Sequence, residues 1–188
     1  EDKNTISIKN LVINKKKEIE ELSNIQILTF RKNKENNNFK INIGKKISIT
    51  GKKYDSSNLL KIITGPNKSN LLKNFSKEVD IKIKNLITKS NVPLNNFNLI
   101  GLVEKGKFNK ISAKSEFSEN EYLDVTLKKD LNNKKIIEIY SDYPQALLSD
   151  YKFFEGIKGG KLLYSSVIDE TSSVSKLKIE NFKITEAP

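Results

Sequence analysis

Six large apolar side chains recur at alternate positions along three neighbouring stretches of the chain. They are Ile81, Ile83, Phe97, Leu99, Ile111 and Phe117. Such side chains carry no acid, base or nucleophile, so they perform no covalent chemistry. They remove apolar surface from water, either by packing in a filled core or by contacting acyl chains in an open trough, which gains about 0.8 kcal/mol per buried methylene group. The residues alone leave both alternatives open.

The composition removes the usual routes to catalysis. The chain contains no His and no Cys, so the commonest general base and the thiolate nucleophile are both missing. Without Cys there is also no disulfide framework and no thiolate zinc site. Carboxylate and lysine chemistry stay open, but no motif gathers such groups. We therefore predict that the chain is not an enzyme, has no catalytic residues, and needs neither a metal nor a cofactor.

The charge is strongly basic, with 34 Lys and Arg residues against 23 Asp and Glu and a formal net charge of +11. Arg31 is the single arginine, while Lys, Asn and Ile are frequent, which is typical of an AT-rich genome. A basic balance can indicate a nucleic acid or an anionic membrane, but the aromatic residues fall mostly on apolar faces, so we expect no nucleic-acid partner. We interpret the lysines as a solvated outer face, with contact to lipid phosphates as the alternative, at Lys82, Lys84, Lys128 and Lys129.

β-Strands must position the six apolar residues, because successive side chains of a strand point to opposite faces. In the run 78–86, Val79, Ile81 and Ile83 alternate with charged residues. The same period of two recurs in the runs 95–103, 110–117, 122–128 and 134–141. Polar turn sequences separate these runs, at 104–107, 118–121 and 131–133. The pattern predicts consecutive antiparallel strands from about residue 79 to residue 141.

Two segments have helical character. The run 56–63 starts with serine caps and stops at a Gly-Pro pair. The run 142–154 has Pro144 in its first turn and an apolar stripe at helical spacing. Glycines then free the backbone to enter a further strand over 161–168, and they precede a strand rather than a helix, which argues against a phosphate-binding loop. The polar patch RKNKENNN (31–38) is predicted to be a hairpin loop.

A short pattern occurs three times, as ISIKNLVI (6–13), IKIKNLIT (81–88) and LKIENFKI (177–184). In each copy the apolar alternation shifts by one position at an asparagine. A β-bulge produces such a shift, because one extra residue re-aims the side chains that follow. We therefore predict a bend or bulge at Asn10, Asn85 and Asn181.

The order of these elements resembles the C-terminal region of AsmA-like proteins, the bacterial side of the bridge-like lipid-transfer group. The matching text is SDYPQALLSDYKFFEGIKGGKLLYSSVIDE (141–170) and KLKIENFKITEAP (176–188), with a weaker match in KKISITGKKYDSSNLLKII (45–63). The order and spacing of the motifs are more specific than any one of them. Tyr143 and Pro144 depart from the small residues that are more frequent in the family.

The resemblance implies a mostly β fold, an elongated, twisted antiparallel sheet curled into a groove, with a few short helices. It implies a protein of the Gram-negative cell envelope that conducts phospholipid between the inner and outer membrane, serving outer-membrane biogenesis. The expected partners are phospholipid acyl chains and, through the parent protein, both membranes. The expected location is the periplasm, with an inner-membrane anchor in a segment absent from this chain. In this interpretation the six apolar residues line the groove, and no catalytic residue is carried over.

We expect residues 1–188 to be one section of such a groove, excised from a longer protein. The weaker match covers 1–77, the core strand run covers 78–141, and the helix, glycine turn and closing strands cover 142–188. No apolar run approaches the roughly 20 residues of a membrane-spanning helix. The alternative is a structural or adhesin-like β-domain without a lipid conduit, in which the same apolar residues form an ordinary core.

Overall fold

A computed structural model describes residues 3–15, 19–57, 76–88, 92–148, 156–169 and 171–185. These residues form strands almost throughout, with one short helix, α1 (Pro144–Leu148). The strands are β1 (Thr5–Ile13), β2 (Ile19–Arg31), β3 (Lys34–Ile43), β4 (Ile47–Asp55), β5 (Lys77–Ile87), β6 (Pro93–Glu104), β7 (Lys107–Ser118), β8 (Glu121–Lys129), β9 (Lys135–Ser141), β10 (Ile157–Lys158), β11 (Lys161–Ile168), β12 (Ser173–Glu180) and β13 (Lys183–Ile184). No helix in the described ranges is long and apolar enough to cross a membrane.

Eleven strands form one sheet in the order β1 to β9, then β11 and β12, and β10 pairs with β13 in a separate ribbon. In the described residues, β1 and β12 are the two edge strands of this sheet. The predicted class, a mostly β protein built on one large sheet, is confirmed. One pair departs from the antiparallel pattern, because β4 and β5 run parallel. Parallel neighbours need a long crossover, and the chain between β4 and β5 supplies one.

The strands predicted from the period of two agree with the structure. The run 161–168 is β11, and the five runs between residues 78 and 141 lie within or across β5 to β9. The three predicted turns are hairpin turns, and each contains a non-glycine residue with positive φ: Lys105 (50°), Asn120 (64°) and Asn133 (61°). Asparagine tolerates this left-handed conformation better than most residues, which explains why polar Asn-containing sequences mark the turns.

The hairpin predicted over 31–38 is present, but its loop is much shorter than predicted. Arg31 ends β2, Lys32 and Asn33 form the turn, and β3 begins at Lys34. The asparagines are accommodated in the strand because their side chains find partners: Asn37 Nδ2 donates to Thr29 Oγ1 at 2.8 Å. Polarity alone therefore does not indicate a loop where neighbouring strands supply hydrogen bonds.

The two predicted helices have different outcomes. The segment 142–154 is helical over Pro144–Leu148, and residues 149–155 lie outside the described residues. Of the segment 56–63, residues 58–63 also lie outside the described residues, and Ser56 and Ser57 are not helical.

Two of the three asparagines of the repeated pattern mark irregular backbone. Asn10 (φ 55°) lies where the β1–β2 pairing shifts register, and Asn181 (φ 57°) forms the bend after β12. At Asn85 the pairing of β5 with β4 and with β6 keeps one register, so no bulge forms there. The alternation nevertheless breaks beside it, because Lys84 is missing from both ladders and the buried positions pass from Ile83 to Leu86. Asn96 (φ 52°), on the neighbouring strand, lies beside a register shift between β6 and β7.

The buried core lies on one face of the sheet, close to α1. Its fully buried members come from five strands and the helix: Phe39, Ile83, Leu86, Leu94, Phe117, Leu123 and Ala146. The ring of Tyr143, just before α1, meets Phe117 edge-on with centroids 5.5 Å apart. The short helix therefore closes one end of the apolar face.

Candidate apolar binding face

One apolar side chain from each of the eleven strands lies in a single row across the sheet, which we call the central row. Its members, in order, are Ile8, Ile25, Ile41, Ile49, Ile81, Leu99, Ala113, Val125, Ile139, Tyr164 and Leu177. Each is the direct pairing partner of the next, and paired residues project to the same face. At about 4.8 Å between strands, the row extends roughly 48 Å.

Two further rows flank the central row. The helix-side row, nearer α1, consists of Ile6, Ile27, Phe39, Gly51, Ile83 and Phe97 and, beyond an interruption at β7, Leu123, Ser141, Leu162 and Ile179. The turn-side row, at the other end of the strands, consists of Ile43, Ile47, Val79, Gly101, Ile111, Leu127, Ile137, Ser166 and Ser175. The interruption at β7 coincides with the register shift beside Asn96.

The structure brings all six sequence-predicted residues to this face. Ile81 and Leu99 belong to the central row and are direct partners, as are Ile83 and Phe97 in the helix-side row. The remaining two lie at opposite ends of β7, Ile111 in the turn-side row and Phe117 against α1. Five of the six are therefore spread over the three rows, Phe117 lies beyond them next to α1, and Ile83 and Phe117 are fully buried core residues.

Burial differs sharply between the rows. In the helix-side row, Ile83 and Leu162 are each 2% exposed and Leu123 is 7% exposed. In the central row, Ile81 and Leu99 are only half-buried, although neighbouring strands flank both of them. Ile83, Leu123 and Leu162 of the helix-side row are thus core residues, although Ile6 in the same row is 67% exposed. The central row keeps part of its apolar surface in contact with solvent, apart from the buried Ala113.

The opposite face of the sheet is mostly polar, with exposed apolar side chains at Ile100, Leu163, Val167 and Val174. A row of direct pairing partners there reads Ser7, Gln26, Lys40, Thr50, Lys82, Asn98, Lys114, Asp124, Tyr140, Leu163 and Lys178. Ion pairs cross the strands, including Lys114–Asp124 at 3.5 Å and Lys128–Glu138 at 3.0 Å. Hydrogen bonding and charge from Lys128 lower the pKa of Glu138. Exposed pairs of this kind stabilise weakly, which suits a solvated outer face.

Hydroxyl groups interrupt the apolar face where it reaches β11 and β12. Ser175 Oγ donates to Ser166 Oγ at 2.9 Å, and the Tyr164 hydroxyl lies 3.1 Å from Ser175 Oγ. Hydrogen bonds from Ser175 and Ser166 lower the pKa of Tyr164. This cluster was not predicted, because the run 161–168 reads as one uniform strand. The signal was present in the adjacent serines, Ser165 and Ser166.

Sequence reasoning also missed most of the central row. Ile49, Val125 and Ile139 belong to it, yet their own strands give no reason to group them with Ile81. Only the register between strands brings them together. No known protein family, characterised protein or solved structure matches this chain. A functional assignment therefore rests on the geometry of the apolar face.

Proposed function

We propose that the apolar face binds phospholipid acyl chains and lets them pass across the strands, as one section of an AsmA-like lipid conduit. The observation that carries the proposal is the central row, which has an apolar or aromatic side chain on each of its eleven strands, all of them at least partly exposed to solvent except Ala113. A protein that needed this face only as a core would gain by covering it.

Acyl chains are recognised by shape and apolarity rather than by specific polar groups. Each methylene group that leaves water gains about 0.8 kcal/mol, so a continuous apolar strip holds a chain without a catalytic or ionic motif. Because the central row offers similar side chains on successive strands, neighbouring positions have similar affinity. A bound acyl chain therefore meets no position of much higher affinity that would hold it as it moves along the row.

The cellular setting belongs to the same proposal. The chain would act in the periplasm of a Gram-negative bacterium, with the parent protein anchored in the inner membrane and its lipid moving towards or from the outer membrane. What supports this setting is the likeness of the segments 141–170 and 176–188 to AsmA-like proteins. The function proposed for the chain is non-enzymatic.

The second candidate is a structural or adhesin-like β-domain. It is favoured by the helix-side row, where Ile83, at 2% exposed, belongs to a core that includes Ala146 of α1. If the whole face behaved as this row does, no lipid would be needed to explain it. The two candidates differ in the central row, so that row is the place to test them.

Site-specific photo-crosslinking separates the candidates. A photoreactive residue at Leu99, in the central row, is compared with one at Asn98, the adjacent residue on the polar face. The protein is purified from cells, irradiated and analysed by mass spectrometry, alongside native mass spectrometry of the unmodified protein. We expect phospholipid adducts at position 99 and none at position 98. Equal labelling at both positions, or no lipid in either experiment, would refute the conduit.

A further inference from the structure

One end of the sheet carries most of its hairpin turns and many lysines, and we call this end the turn rim. It consists of residues 44–46, 76–77, 104–107, 129–135, 169 and 171–172, which the strand pairing brings to the same end. The turn-side row of the apolar face lies immediately beside it. A molecule that contacts the turn rim therefore lies next to the apolar face.

The tip of the β8–β9 hairpin presents an apolar side chain to solvent. Leu131 is 103% exposed, the highest value among the exposed large hydrophobic residues. The turn that carries it is fixed: Asp130 Oδ1 accepts hydrogen bonds from the backbone N–H of Asn132 at 2.8 Å and of Lys134 at 2.9 Å. Leu131 takes no part in these bonds, so the turn itself does not require an apolar residue at this position.

Lysines surround this tip. The local sequence is KKDLNNKK (128–135), with two lysines on each side of the turn. Lys134 forms an ion pair with Asp169 at 2.8 Å, and that hydrogen bond and charge raise the pKa of Lys134. Other lysines of the rim are exposed and pair with no carboxylate in the part of the chain that the structure describes: Lys45, Lys105, Lys107 and Lys129.

Hydrogen bonds and an ion pair between turns join the rim into one surface. They run from turn to turn as follows: Lys77 Nζ to Gly44 O (2.6 Å), Lys105 N to Ser76 Oγ (3.0 Å), Lys135 Nζ to Phe108 O (3.2 Å), and Lys134 Nζ to Asp169 Oδ2 (2.8 Å). The turns are therefore held in a fixed relation to one another. The opposite rim differs in its central hairpin, where the β7–β8 turn carries Glu119 and Glu121.

We propose that the turn rim docks on an anionic phospholipid bilayer, with Leu131 entering the interfacial region and the surrounding lysines contacting lipid phosphates. Long lysine side chains reach phosphates while their methylene stems stay against apolar surface, and each lysine near an anionic surface adds to the attraction. An apolar side chain among the lysines can be buried in the interface of a bilayer, whereas it would not contribute to contacts with the phosphates of a nucleic acid. The proposal rests on the proposed function in one respect, since it names the end where acyl chains enter the apolar face.

Tryptophan fluorescence tests the tip directly, because the chain contains no Trp. Leu131→Trp keeps an apolar side chain at the tip and introduces a single fluorophore. With vesicles of phosphatidylcholine and phosphatidylglycerol we expect a blue shift, and with phosphatidylcholine alone a much smaller one. Glu119→Trp, at the hairpin tip of the opposite rim, is the matched control. No shift at position 131, or an equal shift at position 119, would overturn the proposal.

Paired lysine substitutions test the electrostatic part by vesicle co-sedimentation. Lys105→Gln with Lys129→Gln removes two rim lysines that have no described carboxylate partner, and should weaken binding by about tenfold or more. Lys32→Gln with Lys34→Gln makes the same charge change at the opposite rim and should leave binding nearly unchanged. If both pairs of substitutions weakened vesicle binding equally, the protein's net charge alone would explain the binding. That result would refute the turn rim as a specific docking surface. An oligonucleotide that produced the same response as the vesicles would also refute a membrane surface.

The experiments distinguish failure of the docking surface from failure of the lipid conduit. A rim that binds vesicles on a protein that never carries lipid would uphold the docking surface and refute the conduit. Lipid adducts at position 99, together with no vesicle response at position 131, would uphold the conduit and refute the docking surface.

Discussion

The helix-side row and the central row lie on the same face, about two residues apart along each strand, and are built from the same residue types. Ile83 is 2% exposed, whereas Ile81 is only half-buried. Ile83 belongs to the buried core cluster, whereas Ile81 packs against the edge of that cluster and is partly exposed. Two residues of one type on one face can therefore differ in burial according to how close they lie to the centre of the core. Substitutions at four positions test this difference in burial.

Ile83→Asp should cause the largest loss in the free energy of unfolding. It places a carboxylate in the packed core, where an unpaired charge is costly and the cavity cannot hydrate it easily. We expect a loss of about 4 kcal/mol or more in the free energy of unfolding, enough to unfold a marginal protein. Chemical denaturation followed by circular dichroism measures it. A folded variant with a nearly unchanged midpoint would mean that the helix-side row is as open as the central row.

Gly51→Ala should cause the second-largest loss in the free energy of unfolding. Gly51 lies between Phe39 and Ile83 in the helix-side row, and an added Cβ would come within 2.6 Å of Phe39 Cα. The backbone of β3 would have to move, so we expect a loss of about 1–3 kcal/mol in the free energy of unfolding. Gly44→Ala is the matched control, since a Cβ there meets nothing within 4 Å. Equal melting temperatures for the two variants would contradict tight packing in this row.

Leu99→Asp should cost much less stability than Ile83→Asp, because the new carboxylate is beside solvent. We expect a loss of about 1 kcal/mol in the free energy of unfolding, with a clear fall in co-purifying phospholipid by native mass spectrometry. Asn98→Asp makes the same acid on the polar face and should preserve lipid. If Leu99→Asp unfolds the protein as Ile83→Asp does, the central row is a filled core and the structural β-domain is the better interpretation.

The smallest effect concerns Tyr164, the central-row residue in the hydroxyl cluster. Its hydrogen bonds with Ser175 and Ser166 lower its pKa, so Ser175→Ala should raise that pKa towards the ordinary tyrosine value. A tyrosine with a lowered pKa in the folded state favours folding above its unfolded pKa, and this contribution is lost as pH falls through the folded pKa. The wild type should therefore gain stability relative to Ser175→Ala only in the alkaline range where Tyr164 ionises. Ultraviolet titration measures the pKa, and an unchanged value in Ser175→Ala would contradict the hydrogen bond.

The strands and turns were predictable because their causes are local. Alternating side chains identify β5 to β9, and Asn120 and Asn133 adopt the positive φ that hairpin turns require. The apolar face could be anticipated for the same reason, since one strand is enough to show which residues share a face. All six predicted residues lie on it, and its role in lipid binding stays a prediction.

What could not be predicted depends on contacts between strands. The central row exists because Ile49 pairs with Ile81 and Val125 with Ile139, and no single strand encodes that register. The break in alternation beside Asn85 occurs without a register shift, and the residue with positive φ is Asn96 on the neighbouring strand, so the sequence located this irregularity but not its form. The sequence places Leu131 only within a polar turn, since exposure at a hairpin tip is a property of the folded chain.

The parallel β4–β5 pair has a consequence for the order in which the sheet assembles. On each side of it, nearly every strand of the sheet pairs with its neighbour in sequence, so the contacts of β1–β4 and of β5–β9 are local. The β4–β5 contact closes a long stretch of chain, which costs entropy before it gains hydrogen bonds. We therefore expect two cooperative folding units that join late along this seam. Amide hydrogens at the seam should exchange before those in the middle of either unit.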